Sequence, residues 1–123
     1  MDAQVTIDAR AAARSELGGV ERWAREMAWR LPRIAPERYR VAIPPQSLSH
    51  RAGHLWEQGI LPAVARGPIL CPANAAPLAS RRNVVIIHDV APLRDPSWYS
   101  QLYVRWNRLM IPAVAKRAKR AIT

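Results

Sequence analysis

Short runs of β-branched and aliphatic residues recur along the chain and are separated by longer segments with helical spacing. The clearest run is 84–87, Val-Val-Ile-Ile, which is far too short to span a membrane and is typical of a strand buried on both faces. Residues 5–7, 39–43 and 69–71 predict three further strands, and residues 121–123 resemble the beginning of a fifth.

The first intervening segment has the pattern of one helix face, because its apolar residues recur at steps of three and four. The helix is predicted to follow Gly18-Gly19 and to end at Pro32, since a proline in a helix interior removes a hydrogen bond. Its predicted apolar face consists of Val20, Trp23, Ala24, Met27, Ala28 and Leu31.

Two more helices are predicted further along the chain. Residues 55–64 favour a short or kinked helix, because Gly59 and Pro62 interrupt it. Asp95-Pro96 is a favourable helix start, with the aspartate as cap and the proline in the first turn. This last helix is predicted to reach about residue 119, with a kink or a division into two helices at Pro112.

Alternation of strands and helices predicts an α/β fold, a Rossmann-like parallel sheet with helices on both faces. A chain of 123 residues is expected to form a single domain, spanning 1–123. Because residues 121–123 only begin a strand, we expect this domain to be an incomplete part of a longer protein.

The best candidate site follows the 84–87 strand. His88 and Asp89 come directly after it, and ligands bind beyond the carboxyl ends of strands in open parallel sheets. The pair could act as a base or hydrogen-bond a sugar hydroxyl. Alternatively, Asp89 caps a turn and His88 hydrogen-bonds the backbone.

Two glycines form a second candidate site. Gly18-Gly19 precedes a helix, whose free N–H groups and positive dipole could hold a phosphate or a sugar. The pair matches neither GxGxxG nor a P-loop, so it could equally be a plain turn. We expect no metal site, since His50 and His54 lack carboxylates at ligand spacing, and we expect the lone Cys71 to be a core residue.

The charge of the chain is strongly positive, with a formal net charge of +10 that comes almost entirely from arginine. This favours anionic partners such as a nucleotide-sugar diphosphate, a nucleic acid or a membrane surface, unless the arginines are only solvated helix faces. No acid follows Asp95, whereas cations accumulate there. The sequence shows no signal peptide and no apolar run of about 20 residues, so a cytoplasmic protein is predicted, with peripheral contact at the inner membrane face as an option.

Five stretches in register resemble one known family: GGVERW, HLWEQGILP, PANAAPL, VIIHDVAPLRDPSWY and IPAVAKRAKRAIT. Together they are similar to the first part of the amino-terminal domain of glycosyltransferase family 4, which comprises retaining enzymes of the GT-B fold. The resemblance covers essentially the whole chain.

The resemblance implies the acceptor side of a cleft, in an enzyme that moves a hexose from a nucleotide-diphosphate sugar to a glycan or lipid-linked acceptor. It implies no cofactor and no metal. His88 resembles the histidine that contacts the donor sugar near the reacting centre, and Gly18 and Gly19 resemble the loop that approaches the donor phosphate. Asp89, Asn74 and Arg10 are expected to line the cleft. The donor-binding carboxyl-terminal domain has no counterpart here, so the isolated chain is expected to be inactive.

Two other functions remain open from the sequence. One is a small basic module that binds membrane phospholipid or nucleic acid without catalysis, and such binding weakens steeply as salt rises. The other is a non-functional remnant whose exposed sheet edge makes it insoluble.

Overall fold

The computed structural model describes residues 4–13, 18–48, 52–88, 97 and 100–123. Five short strands are present: β1 (Val5–Asp8), β2 (Tyr39–Ala42), β3 (Ile69–Cys71), β4 (Asn83–Ile86) and β5 (Arg120–Ile122). The helices are α1 (Gly19–Ile34), α2 (Gly53–Leu55), α3 (Leu61–Val64) and α4 (Gln101–Arg117). A 3₁₀ turn, Gln46–Leu48, precedes α2, and a π-helical stretch, Trp56–Ile60, joins α2 to α3.

The strands form one parallel sheet in the order β2-β1-β3-β4-β5. The α/β fold with a Rossmann-like parallel sheet is therefore confirmed, and each of the five predicted strands is present within one or two residues. The connection from β1 to β2 runs in one direction along the sheet, whereas the connection from β2 to β3 returns past β1. Right-handed connections that run in opposite directions lie on opposite faces, which opens a crevice between the carboxyl ends of β1 and β3.

Each face of the sheet carries its own core. On one face Ala24 and Ala28 of α1 are fully buried, and their small side chains let the helix approach Ile7 of β1 closely. On the other face Leu61 and Met110 pack with the inward residues of β3 and β4. The prediction of helices on both faces is thus confirmed.

Several predicted element ends are wrong. α1 continues to Ile34 with Pro32 inside its last turn, so the proline removes one backbone hydrogen bond but does not end the helix at residue 32. α4 is a single helix through Pro112, not two. It begins at Gln101, where Ser100 Oγ accepts a hydrogen bond from Tyr103 N at 3.3 Å. The predicted start at residues 95–96 lies outside the described residues.

Within the described part of the chain, no helix has both the length and the apolar character needed to cross a bilayer.

Cys71 is a core residue. It lies on β3, in the middle of the sheet between β1 and β4, as expected for a small apolar residue. Burial raises the pKa of its thiol well above the ordinary value, which keeps the sulfur protonated and unreactive.

Candidate functional site

A cleft of about 710 Å³ opens at the crevice between the carboxyl ends of β1 and β3. Its volume falls within the range of roughly 300–1,000 Å³ that is typical of small-molecule sites. Three parts of the chain form its walls, namely the exit of β1 with the first turn of α1, the loop after β3, and one face of α4 together with α2. The lining side chains and backbones are those of Arg10, Ala11, Gly18, Gly19, Val20, Glu21, His54, Ala73, Asn74, Ala75, Tyr103, Trp106 and Asn107.

Four of the six residues proposed from the sequence come together in this cleft. Arg10, Gly18, Gly19 and Asn74 all line it. His88 does not line it but is hydrogen-bonded to the Asn74 loop at its edge. Asp89 lies outside the described residues, so its predicted position stays a prediction.

His88 is held by three contacts. Its Nε2 lies 2.6 Å from the carbonyl oxygen of Pro72, its backbone N–H donates to Asn74 Oδ1 at 2.7 Å, and its ring meets Trp23 edge to face at 4.6 Å. A carbonyl can only accept, so Nε2 carries the proton and, in the neutral ring, Nδ1 is the acceptor. The backbone hydrogen bond is the alternative considered from the sequence; the predicted contact with a sugar stays a prediction.

Asn74 has an unusual backbone conformation that serves the same loop. Its φ of 62° is in the left-handed region, which asparagine tolerates better than most residues. This turn places the Asn74 side chain where it accepts the hydrogen bond from His88. The loop after β3 is therefore locked to the exit of β4 by one side chain.

The two glycines occupy the first positions of α1. Gly18 is the amino-terminal cap, with extended φ and ψ, and has no side chain to cap the helix. The first turn of α1 lines the cleft and carries the Glu21 carboxylate, whose Oε2 lies next to Gly18. Neither glycine has a positive φ, and a Cβ on Gly19 would meet nothing within 4 Å. The fold itself does not require glycine at position 19.

We expect Gly19→Ala to leave the free energy of unfolding unchanged or to raise it by up to about 1 kcal/mol, because alanine favours helix. If a ligand approaches the α1 backbone closely, the added methyl group will weaken ligand binding while the fold is intact. Thermal unfolding and binding of a nucleotide-diphosphate sugar, measured on the same variant in the full-length protein, check both parts. Loss of stability would contradict the open space seen at this position.

A cluster of three ionisable side chains lies buried beneath the cleft. Arg10, Asp8 and Glu57 are 8%, 2% and 1% exposed. Arg10 Nε donates to Glu57 Oε2 at 2.9 Å, and Asp8 Oδ1 accepts from the Arg10 backbone N–H at 3.1 Å. His54 adds a fourth group, with Nδ1 3.6 Å from Glu57 Oε1. The cluster joins β1 to the π-helical stretch.

Burial and mutual contact shift the pKa values of the two carboxyl groups in opposite directions. Desolvation, followed by the charge of Glu57, raises the pKa of Asp8 well above its ordinary value. Desolvation would also raise the pKa of Glu57, but a hydrogen bond from Asp8 and the charge of Arg10 outweigh it and lower the pKa to about 2. Asp8 therefore keeps a proton that it donates to an ionised Glu57, and the three groups together are neutral.

The pKa of Arg10 is also set by opposing effects. Burial alone would lower its pKa, but the charges of Glu57 and Asp8 raise it above the ordinary value. Arg10 is therefore a permanent cation at the cleft wall. Its Nη groups make no hydrogen bond to any described residue.

The π-helical stretch fixes two walls of the cleft at once. Glu57 holds Arg10, while Gln58 donates to the carbonyl of Ala76 at 2.7 Å and accepts from the N–H of Leu78 at 2.9 Å. A π-helical turn shifts the side chains that follow it and often marks a functional region. Here it points consecutive residues toward the β1 exit and toward the loop after β3.

Sequence reasoning missed Asp8 and Glu57 and did not place Asn107 in a site. A signal for Asp8 existed, since it is the first polar residue after the 5–7 strand. Glu57 is the single acid between Glu37 and Asp89 and stands in an otherwise apolar segment, a position where an acid requires a partner.

Among the residues that the structure describes, no group of three or more His, Cys, Asp or Glu side chains is arranged so that it could hold a metal ion. What the cleft offers is a helix amino end, a buried cation and an aromatic wall. Comparison of the chain with protein-family models, with curated proteins and with solved structures finds no match in any of the three.

Proposed function

We propose that this chain is the acceptor-side, amino-terminal part of a retaining glycosyltransferase of the GT-B type. The full enzyme transfers a hexose from a nucleotide-diphosphate sugar to a glycan or lipid-linked acceptor at the cytoplasmic side of a membrane. A second domain supplies most of the donor site. The resemblance of five sequence stretches to glycosyltransferase family 4 suggests this function, and the cleft is compatible with it.

The observation that carries the proposal is the cleft at the point where the strand order reverses. Arg10, Gly18 and Gly19 converge on it from the β1 exit and the α1 amino end. A cation beside the amino end of a helix is suited to the negative charge that develops on a leaving diphosphate. The Nη groups of Arg10 are available for this contact.

His88, at the edge of the cleft, is the proposed contact with the donor sugar. Its Nε2–H is committed to the Pro72 carbonyl, which leaves Nδ1 to accept a hydrogen bond from a hydroxyl of the donor sugar. The contacts with Asn74 and Trp23 fix the ring in one orientation, as a positioned catalytic group requires.

His88→Ala is expected to lower turnover of the full-length enzyme by about 10²-fold or more, since positioned proton-transfer and hydrogen-bonding groups contribute of that order. The assay is transfer of labelled sugar from the nucleotide donor, with circular dichroism and thermal unfolding as checks on folding. Wild-type turnover would remove His88 from the reaction.

A second variant separates proton transfer by His88 from hydrogen bonding. His88→Gln retains an N–H donor for the Pro72 carbonyl and an amide oxygen as acceptor, but the amide cannot take up a proton as imidazole can. Full recovery of turnover in this variant would exclude proton transfer by His88 and leave it hydrogen bonding alone. Continued loss would support contact with the substrate.

A second candidate function is a basic binding module, which the outer face of α4 favours. Leu102 and Leu109 are 80% and 67% exposed there, beside exposed Arg105 and Arg108. Such a surface suits an anionic partner, a membrane phospholipid or a nucleic acid. Its binding would be lost at moderate salt, whereas sugar transfer does not depend on it.

A further inference from the structure

The α4 wall of the cleft has a different chemistry from the α1 wall. Tyr103, Trp106 and Asn107 are spaced three and four residues apart, so they share one face of the helix. His54 of α2 packs on Trp106, with ring centroids 4.6 Å apart and planes tilted by 56°. This wall is built from aromatic rings and an amide and carries no carboxylate or guanidinium of its own.

The hydrogen bonds of Asn107 orient this wall. Asn107 is buried, and its Nδ2 donates to the backbone carbonyl of Tyr103 at 2.8 Å. This hydrogen bond fixes the orientation of the amide, and Asn107 lines the cleft, so we assign its Oδ1 as the acceptor for a ligand. Asn74 stands on the loop opposite and adds a second amide to the same cleft.

Flat rings flanked by amides suit the surface of a pyranose. The C–H groups on one face of a sugar ring pack on the electron-rich face of an aromatic side chain. Its equatorial hydroxyls need polar groups at the edge of the ring, which a few placed amides supply. An isoprenoid or acyl chain would need a continuous apolar lining, and here Asn74, Asn107 and His54 interrupt it.

We infer that the α4 wall, formed by Tyr103, Trp106, Asn107 and His54, is a saccharide subsite that binds the accepting pyranose by stacking on Tyr103. The inference rests on the proposed function and specifies its acceptor as a glycan end, with any lipid carrier lying outside the cleft. Arg10 and the α1 amides are then left to the diphosphate on the opposite wall.

Saturation-transfer NMR on the full chain tests the subsite. The probes are the methyl α-pyranosides of glucose, galactose and mannose, each titrated separately, with glycerol as a polyol that has no ring face to stack. We expect transfer to the ring C–H protons of at least one glycoside, stronger on one face of the sugar. Equal transfer to glycerol, or no transfer to any of the three glycosides, would overturn the inference.

Substitutions on α4 test whether the glycoside binds at Tyr103. Tyr103→Ala should weaken glycoside binding about tenfold, which corresponds to about 1.4 kcal/mol, whereas Tyr103→Phe should retain it because the ring remains. Leu102→Ala is the matched control, being the neighbouring exposed residue that does not line the cleft. Because Tyr103 is 45% exposed, its replacement leaves the core untouched. Equal binding by the Tyr103→Ala variant would place the sugar elsewhere and overturn the assignment.

Failure of the saccharide subsite can be distinguished from failure of the proposed transferase function. If the full-length enzyme transfers sugar to a lipid acceptor and the glycosides do not bind, only the subsite is wrong. If the glycosides bind at Tyr103 and no donor sugar is transferred, the subsite stands and the transferase function is wrong.

Discussion

Arg10→Met is expected to lower the free energy of unfolding near neutral pH by about 3–5 kcal/mol, the usual cost of removing one partner from a buried ion pair. The carboxylate of Glu57 is 1% exposed and loses both its cation and the hydrogen bond from Arg10 Nε. Met preserves the length of the aliphatic stem, which packs closely against Gly53. The loss therefore reports the unpaired charge and not a cavity. Urea unfolding of both proteins measures it.

A double substitution provides the control for this prediction. In Arg10→Met/Glu57→Gln no carboxylate is left unpaired, because the Gln side chain is neutral and Asp8 keeps its proton. We expect this variant to recover most of the lost stability, as neutral replacements of buried pairs usually do. A single variant within about 1 kcal/mol of the wild type would show that the ion pair is solvated or dispensable.

The two central strands β3 and β4 were predictable from the sequence because each is a local run of mainly β-branched or aliphatic residues, and burial of such a run on both faces needs no other information. Helix ends were less predictable. α1 continues two residues past Pro32 in spite of the hydrogen bond that a proline removes, because where a helix ends also depends on its packing against the sheet, which the sequence does not show.

The site was partly predictable for a topological reason. Residues that follow parallel strands meet at one edge of the sheet, so Arg10 and Asn74 could be placed on one side of the fold. The partner of Arg10 could not be identified, because Glu57 is 47 residues away and reaches it through a π-helical turn. Helical periodicity assumes regular geometry, and a π-helical turn changes the register of the side chains.

The stability of the chain should decrease as the pH rises from 3.8, the pKa of a solvated aspartate, toward the raised pKa of Asp8 in the folded chain, and Asp8 is the group responsible. Its pKa in the folded state is raised well above the value of 3.8 that it has when solvated. Between these two values the folded chain holds a proton that the unfolded chain has lost. Stability therefore falls with rising pH, by at most about 1.4 kcal/mol per pH unit, until the folded carboxyl ionises.

Glu57 acts with the opposite sign at lower pH. Its pKa falls from 4.5 when solvated to about 2 in the folded chain, so its contribution is present above pH 4.5 and is lost as the pH falls toward 2. The contributions of Asp8 and Glu57 therefore oppose each other in acid. Above pH 4.5 the slope from this pair comes from Asp8 alone.

Asp8→Asn isolates this contribution. The amide oxygen still accepts from the Arg10 N–H, and the amide nitrogen still donates to Glu57, as the protonated carboxyl does. We expect the variant to show a flatter dependence of unfolding free energy on pH, measured by denaturant titration at intervals from about pH 5 to about pH 8. Glu37→Gln, at an exposed turn position, is the matched control and should keep the wild-type slope. If Asp8→Asn also keeps that slope, Asp8 is ionised in the folded chain and the neutral cluster beneath the cleft is wrong.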